Sequence, residues 1–174
     1  MSISWLSSPI GQGVIKSARE HLDPLVAITS LRKQYSQIDP DLISQAFTQA
    51  QMQQRLEARW GTSAFELLLT EDGISQATRP AVARYRAEFI SSKFGANAHV
   101  LDLTCGLGFD AREFARYGLR VTGVEIDSEI AEYAQHNLNE FGVTVHCADA
   151  ADFVIPDDVD VVFVDPARRD PNAA

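Results

Sequence analysis

The hydrophobic positions along the chain fall into two textures. Over residues 1–78 they recur at helical spacing: Leu25, Ile28 and Leu31 form one stripe over 24–35. Ile43, Phe47, Ala50, Met52, Leu56 and Trp60 form a longer one. Asp39-Pro40 reads as an N-cap with proline at the first helical position, and Gly61 as the stop. Ser63-Ala64-Phe65-Glu66 fits a capping box ahead of the leucines at 67–69, and Asp72-Gly73 marks a turn. Gln49, Gln51, Gln53 and Gln54 read as the wet side of a helix. Thr78-Arg79-Pro80 opens another helix, with Thr78 as its cap. Val82, Tyr85, Phe89 and Ile90 give that helix a buried stripe, and Gly95 ends it.

After Gly95 short β-branched runs alternate with helical stretches. Strands are predicted over 100–103, 121–124, 143–146 and 161–164, with helices over 110–117 and 128–140. Such alternation predicts parallel pairing in an α/β, Rossmann-like sheet of about four strands, preceded by an α-helical region. The expected division is a helical part, 1–78, and a sheet-bearing part, 79–174.

Composition adds limits. An apolar share of 45% and a charged share of 22% are ordinary for a soluble globular protein. No run approaches the roughly 20 apolar residues of a membrane span, and the N-terminus lacks signal-peptide texture, so a cytoplasmic location is expected. Cys105 and Cys147 have no metal-ligand spacing, and no metal site is expected. The net charge of −9 is uneven. Residues 1–98 carry 10 Lys/Arg against 9 Asp/Glu, whereas 99–174 carry 5 against 15. An acidic half argues against strong non-specific nucleic-acid binding. Arg79, Arg84 and Arg86 lie close together and read as a solvated helix face.

The candidate chemistry follows the strands. In Asp102-Leu103-Thr104-Cys105-Gly106-Leu107-Gly108 a strand ends, small residues follow and a helix begins. Glycines there let the backbone approach a ligand, although a lone Gly-x-Gly also fits a tight turn with no ligand. Glu125 ends the next strand 23 residues after Asp102, the placement suited to a ribose hydroxyl pair. Asp127 either assists or caps the following helix. Asp149 follows the third strand, where a carboxylate can accept from an adenine amino group. Asp165-Pro166 ends the fourth, with Arg168 and Arg169 beyond it. All four loops fall at the C-terminal edges of parallel strands, where open α/β sheets bind ligands. Cys105 reads as a packing residue of the loop rather than a nucleophile, His136 as a surface residue of its helix, and His146 as structural.

In order and spacing these motifs resemble the class I S-adenosylmethionine-dependent methyltransferases over about 99–170. The resemblance implies S-adenosylmethionine as cofactor, held by Asp102, Thr104, Cys105, Gly106, Gly108, Asp110, Glu125, Ile126, Asp149 and Ala150. Thr104 stands where the first glycine of that motif is usual. An NAD or FAD site is disfavoured because its third glycine would fall at position 111, an alanine. The stretch from Gly73 to Arg86, with Asp165-Pro166-Ala167-Arg168-Arg169, is similar to a bacterial group of methyltransferases that carry a C-terminal THUMP-like domain. Those are loosely related to RNA guanine-N2 methyltransferases. That likeness places Gln76 and Thr78 near the methionine carboxylate and implies RNA as substrate. Asp165 and Pro166 would then be catalytic, holding an exocyclic amine, and Arg168 and Arg169 would contact the substrate. Methylation of a small molecule or protein, and a non-catalytic S-adenosylmethionine-binding module, are the alternatives.

A class I methyltransferase sheet normally has seven strands and this sequence supplies four. The chain is therefore expected to be an N-terminal piece of a longer protein, inactive alone. Self-association is expected through an apolar edge beside 161–164.

Overall fold

The computed structural model describes residues 3–21 and 23–166. The chain packs as two units, 1–74 and 75–174. The first contains α1 (Ile3–Leu6), α2 (Pro9–Arg19), α3 (Pro24–Gln34) and α4 (Pro40–Trp60). A 3-10 stretch, Gly61–Glu66, follows, and then α5 (Glu71–Gln76). Ser8, Asp23 and Asp39 cap α2, α3 and α4 through side-chain oxygens, each with proline in the first turn. Ile43, Ala46, Ala50, Met52 and Leu56 bury one face of α4.

Four readings of this unit are corrected. Ser63–Glu66 starts no α-helix: the leucines at 67–69 lie outside any helix and are buried. Gln49 and Gln53 are not on a wet face but fully buried. Gln49 accepts from Leu69 N–H at 2.9 Å and donates to Leu69 C=O at 2.8 Å, while Gln53 donates to Leu67 C=O at 2.7 Å. These amides satisfy a buried backbone that pairs with no strand among the described residues. Leu25 is 81% exposed, whereas Leu31 of the expected stripe is buried, with Ala27 beside it. Asp72-Gly73 lies within α5 rather than in a turn.

The second unit begins with α6 (Pro80–Phe94) and continues β1 (His99–Asp102), α7 (Phe109–Arg116), β2 (Arg120–Glu125), α8 (Ser128–Leu138), β3 (Thr144–Cys147) and β4 (Val161–Phe163). All neighbouring strands pair in parallel, in the order β3-β2-β1-β4. Asp102 stands level with Gly123 on β2 and Phe163 on β4, and Glu125 level with Cys147 on β3. The order reverses at β1, so the crevice at its C-terminal end is the switch point where α/β sheets take ligands. Ala87, Ile90, Val100, Ala111, Phe114, Val121 and Leu138 share one buried cluster, with Phe163 set edge-on to Phe114.

The stripe on α6 differs from expectation. Val82, Tyr85 and Phe89 are exposed; Ile90 is buried as expected, and Ala83 and Ala87 are buried with it. Thr78 is not the cap either: Arg79 holds that position without a side-chain bond. Among the described residues no helix is long and apolar enough to cross a membrane.

Candidate cofactor and acceptor site

The glycine loop is shaped by local constraints. Gly106 and Gly108 adopt φ of +53° and +88°, a region that strains residues with a Cβ. A Cβ on Gly108 would lie 2.8 Å from Leu138 Cδ1, so the start of α7 packs directly on α8. A Cβ on Gly106 would meet nothing within 4 Å, so the loop has open space before it. Asn137, buried and unforeseen from sequence, donates to Leu107 C=O at 3.1 Å and ties the loop to α8. Cys105 packs its sulfur against Gly123, where a Cβ would sit 3.1 Å away. Burial pushes the Cys105 thiol well above its usual range, with the charges of Asp102 and Glu125 adding to it. It is a packing residue with no thiolate to offer.

Glu125 is fastened on both oxygens. Gly106 N–H donates to Oε2 and Asp127 N–H to Oε1, each at 3.0 Å. Asp127 itself caps α8 through the N–H groups of Glu129 and Ile130. Ile126, beside Glu125, is 63% exposed. Asp149 is exposed after β3, its Oδ1 accepting from Ala151 N–H, and Ala150 is half-buried next to it.

Asp102 is buried at the end of β1. Burial raises its pKa to about 7; the Thr104 N–H bond pulls the other way, and the charges of Asp110, Asp165 and Glu125 add to the rise. Thr104 Oγ1 accepts from Asp165 N–H at 2.9 Å, so a threonine at the first glycine position ties the β1 loop to the end of β4. Asp110, in the first turn of α7, accepts from the Thr78 hydroxyl and from Arg86 Nη1 at 3.0 Å. The same Arg86 nitrogen lies 2.8 Å from Asp165 Oδ2. Arg79 and Arg84 are exposed as the solvated face expected, and only Arg86 departs from that reading.

The structure therefore brings Thr78, Asp102, Thr104, Gly106, Asp110, Glu125 and Asp165 to one end of the sheet, with Gln76 and Pro166 exposed. Arg168 and Arg169 lie outside the described residues.

Residues 100–168 match the family described as a methyltransferase domain. An uncharacterised S-adenosylmethionine-dependent methyltransferase of Mycobacterium tuberculosis is 34% identical over 103 residues, covering 59% of this chain and 27% of its own length. The tRNA (guanine(10)-N2)-dimethyltransferase of Methanothermobacter thermautotrophicus is 33% identical over 90 residues, or 50% of this chain and 26% of its own. A Porphyromonas gingivalis protein whose crystal structure carries a provisional methyltransferase assignment superposes with a TM-score of 0.59 at 22% identity, over 83% of this chain and 41% of that one. The second unit has the class I methyltransferase fold. This chain spans about a quarter of the length of the curated relatives it matches.

Proposed function

We propose that this methyltransferase-fold unit binds S-adenosylmethionine and that the protein methylates an amino group of a base in RNA. The observation that carries the cofactor reading is the charge around the glycine loop. Asp110 occupies the first turn of α7, where a dinucleotide fold would leave the helix N-terminus free for a pyrophosphate. Glu125 and Asp165 stand nearby, and the cation Arg86 offsets only one of these three charges, so the crevice stays net negative and favours a ligand of net positive charge over a pyrophosphate. A sulfonium with an ammonium and one carboxylate has that charge. Open space before Gly106, the fastened Glu125 carboxylate and the exposed Ile126 fit the ribose and base of its adenosine.

When bound, S-adenosylmethionine supplies an electrophilic methyl group on sulfur. Glu125 keeps lone pairs for the ribose hydroxyls, since each oxygen accepts one backbone bond only. Asp165 accepts an N–H from the incoming amine and aims its nitrogen, so the protein's contribution is orientation and charge. Support for RNA comes from the tRNA-modifying relative and from the Asp165-Pro166 pair at the end of β4. Calorimetric titration with S-adenosylhomocysteine tests the cofactor. Incubation with labelled S-adenosylmethionine and total RNA, followed by nuclease digestion, tests the substrate. Label that survives complete nuclease digestion and is lost on proteolysis would move the substrate to protein.

A further inference from the structure

Arg86 sits where no substrate or cofactor role accounts for it. Its stripe-mates on α6, Ala83, Ala87 and Ile90, are buried, and the arginine side chain is 30% exposed. One nitrogen, Nη1, serves both Asp110 Oδ1 and Asp165 Oδ2, and the guanidinium carbon lies 5.2 Å from the centre of the Phe163 ring. Asp110 is itself held by Thr78 on its other oxygen. Burial works against the Arg86 charge, but the two carboxylates outweigh it and hold its pKa above the usual value. The chain of contacts therefore runs from Thr78 through Asp110 and Arg86 to Asp165, whose backbone N–H is pinned separately to Thr104.

We infer that Arg86 is a positioning residue for Asp165: it occupies Oδ2, screens it from Asp110, and leaves Oδ1 as the single oxygen presented to an acceptor amine. The functional meaning rests on the methyltransferase reading of Asp165; the contact itself does not. Without the cation two carboxylates would face each other across one helix terminus, and Asp165 would turn out of the crevice. Lysine in place of Arg86 keeps the charge but not the planar fork, so it restores the position in part.

The test uses the full chain with carbon-13 and nitrogen-15 labels. In Arg86→Gln the Asp165 amide is expected to exchange at least about tenfold faster, and the Asp165 carboxyl carbon resonance to move. Arg86→Lys should bring both part of the way back, and Arg84→Gln on the same helix should leave both unchanged. The Gly106 amide should stay within about twofold in all three. Asp165 signals unmoved in Arg86→Gln, or no recovery in Arg86→Lys, would overturn the proposal. Equal loss at Gly106 and Asp165 would overturn it too, because Arg86 would then support the whole loop. If Arg86→Gln does not fold, the comparison of Arg86→Lys with wild type decides by the Asp165 resonance. A wild-type chain that fails to bind S-adenosylhomocysteine would remove the methyltransferase reading and leave the Arg86–Asp165 result standing.

Discussion

Gly106 donates its backbone N–H to Glu125 Oε2 across 3.0 Å, so the loop after β1 and the end of β2 are built as one piece. That bond fixes the carboxylate before any ligand arrives, and preorganisation of this kind lowers the cost of binding. Glu125→Ala removes the acceptor and also frees the Gly106 and Asp127 amides. A hydrogen bond to a charged group contributes about 1.5–3 kcal/mol, so affinity for S-adenosylhomocysteine should fall at least about tenfold by calorimetry. Wild-type affinity in this variant would show that Glu125 does not hold the ligand.

The two loop glycines should separate stability from binding. Gly108→Ala combines left-handed strain with a methyl 2.8 Å from Leu138, and should cost about 2–4 kcal/mol in urea unfolding. Gly106→Ala meets open space and should cost only about 1–2 kcal/mol. Its methyl enters the region before the loop, so it should weaken S-adenosylhomocysteine binding more than it weakens the fold. The reverse ranking would mean that the ligand does not approach Gly106.

Asp102 makes stability depend on pH. Its folded carboxyl keeps a proton up to about pH 7, whereas a free carboxyl releases it near 4. Folding therefore takes up a proton in that window, and the native state binds more protons than the unfolded one. The sign follows: Asp102's contribution is least unfavourable at about pH 4 and destabilises progressively as pH rises to 7, by up to about 4 kcal/mol. Asp102→Asn should flatten the stability profile between pH 4 and 8, measured by urea unfolding. Parallel profiles would place the proton elsewhere.

In the first unit Gln49 carries both bonds of an absent strand neighbour. Gln49→Leu leaves the buried N–H and C=O of Leu69 without these partners and should cost about 2–4 kcal/mol in urea unfolding. Gln51→Leu, on the exposed side of α4, should stay within about 0.5 kcal/mol. Equal effects would mean that the buried amide bonds contribute nothing.

The sheet was legible because its strands are short, β-branched and separated by helices, and because its chemistry falls at strand ends. Asp102, Glu125 and Asp165 could be placed that way with no tertiary information. The helical regions were harder. On α6 two stripes compete, and the more hydrophobic one, Val82, Tyr85 and Phe89, is exposed. Close packing of α6 on α7 favours Ala83 and Ala87, a preference for small residues that hydrophobicity alone does not register. The phase of Arg86 between Ala83 and Ile90 was the available signal that it points inward. Gln49 and Gln53 left none, since their partners at 67–69 lie 14–20 residues away in sequence.

The place of β4 beside β1 also sets an order of assembly. β1 meets β2 at a separation of 21 residues and β2 meets β3 at 22, but β1 meets β4 at 61. Closing the longer loop costs about 1 kcal/mol more in chain entropy. The glycine loop and Glu125 can therefore form while β4 is still free, and Asp165 takes its place beside Arg86 only when that last strand docks. Weakening β4 should then hasten unfolding more than it slows folding. The end of β4 that carries Asp165 is then expected to form last and to open first, an order that site-resolved hydrogen exchange checks.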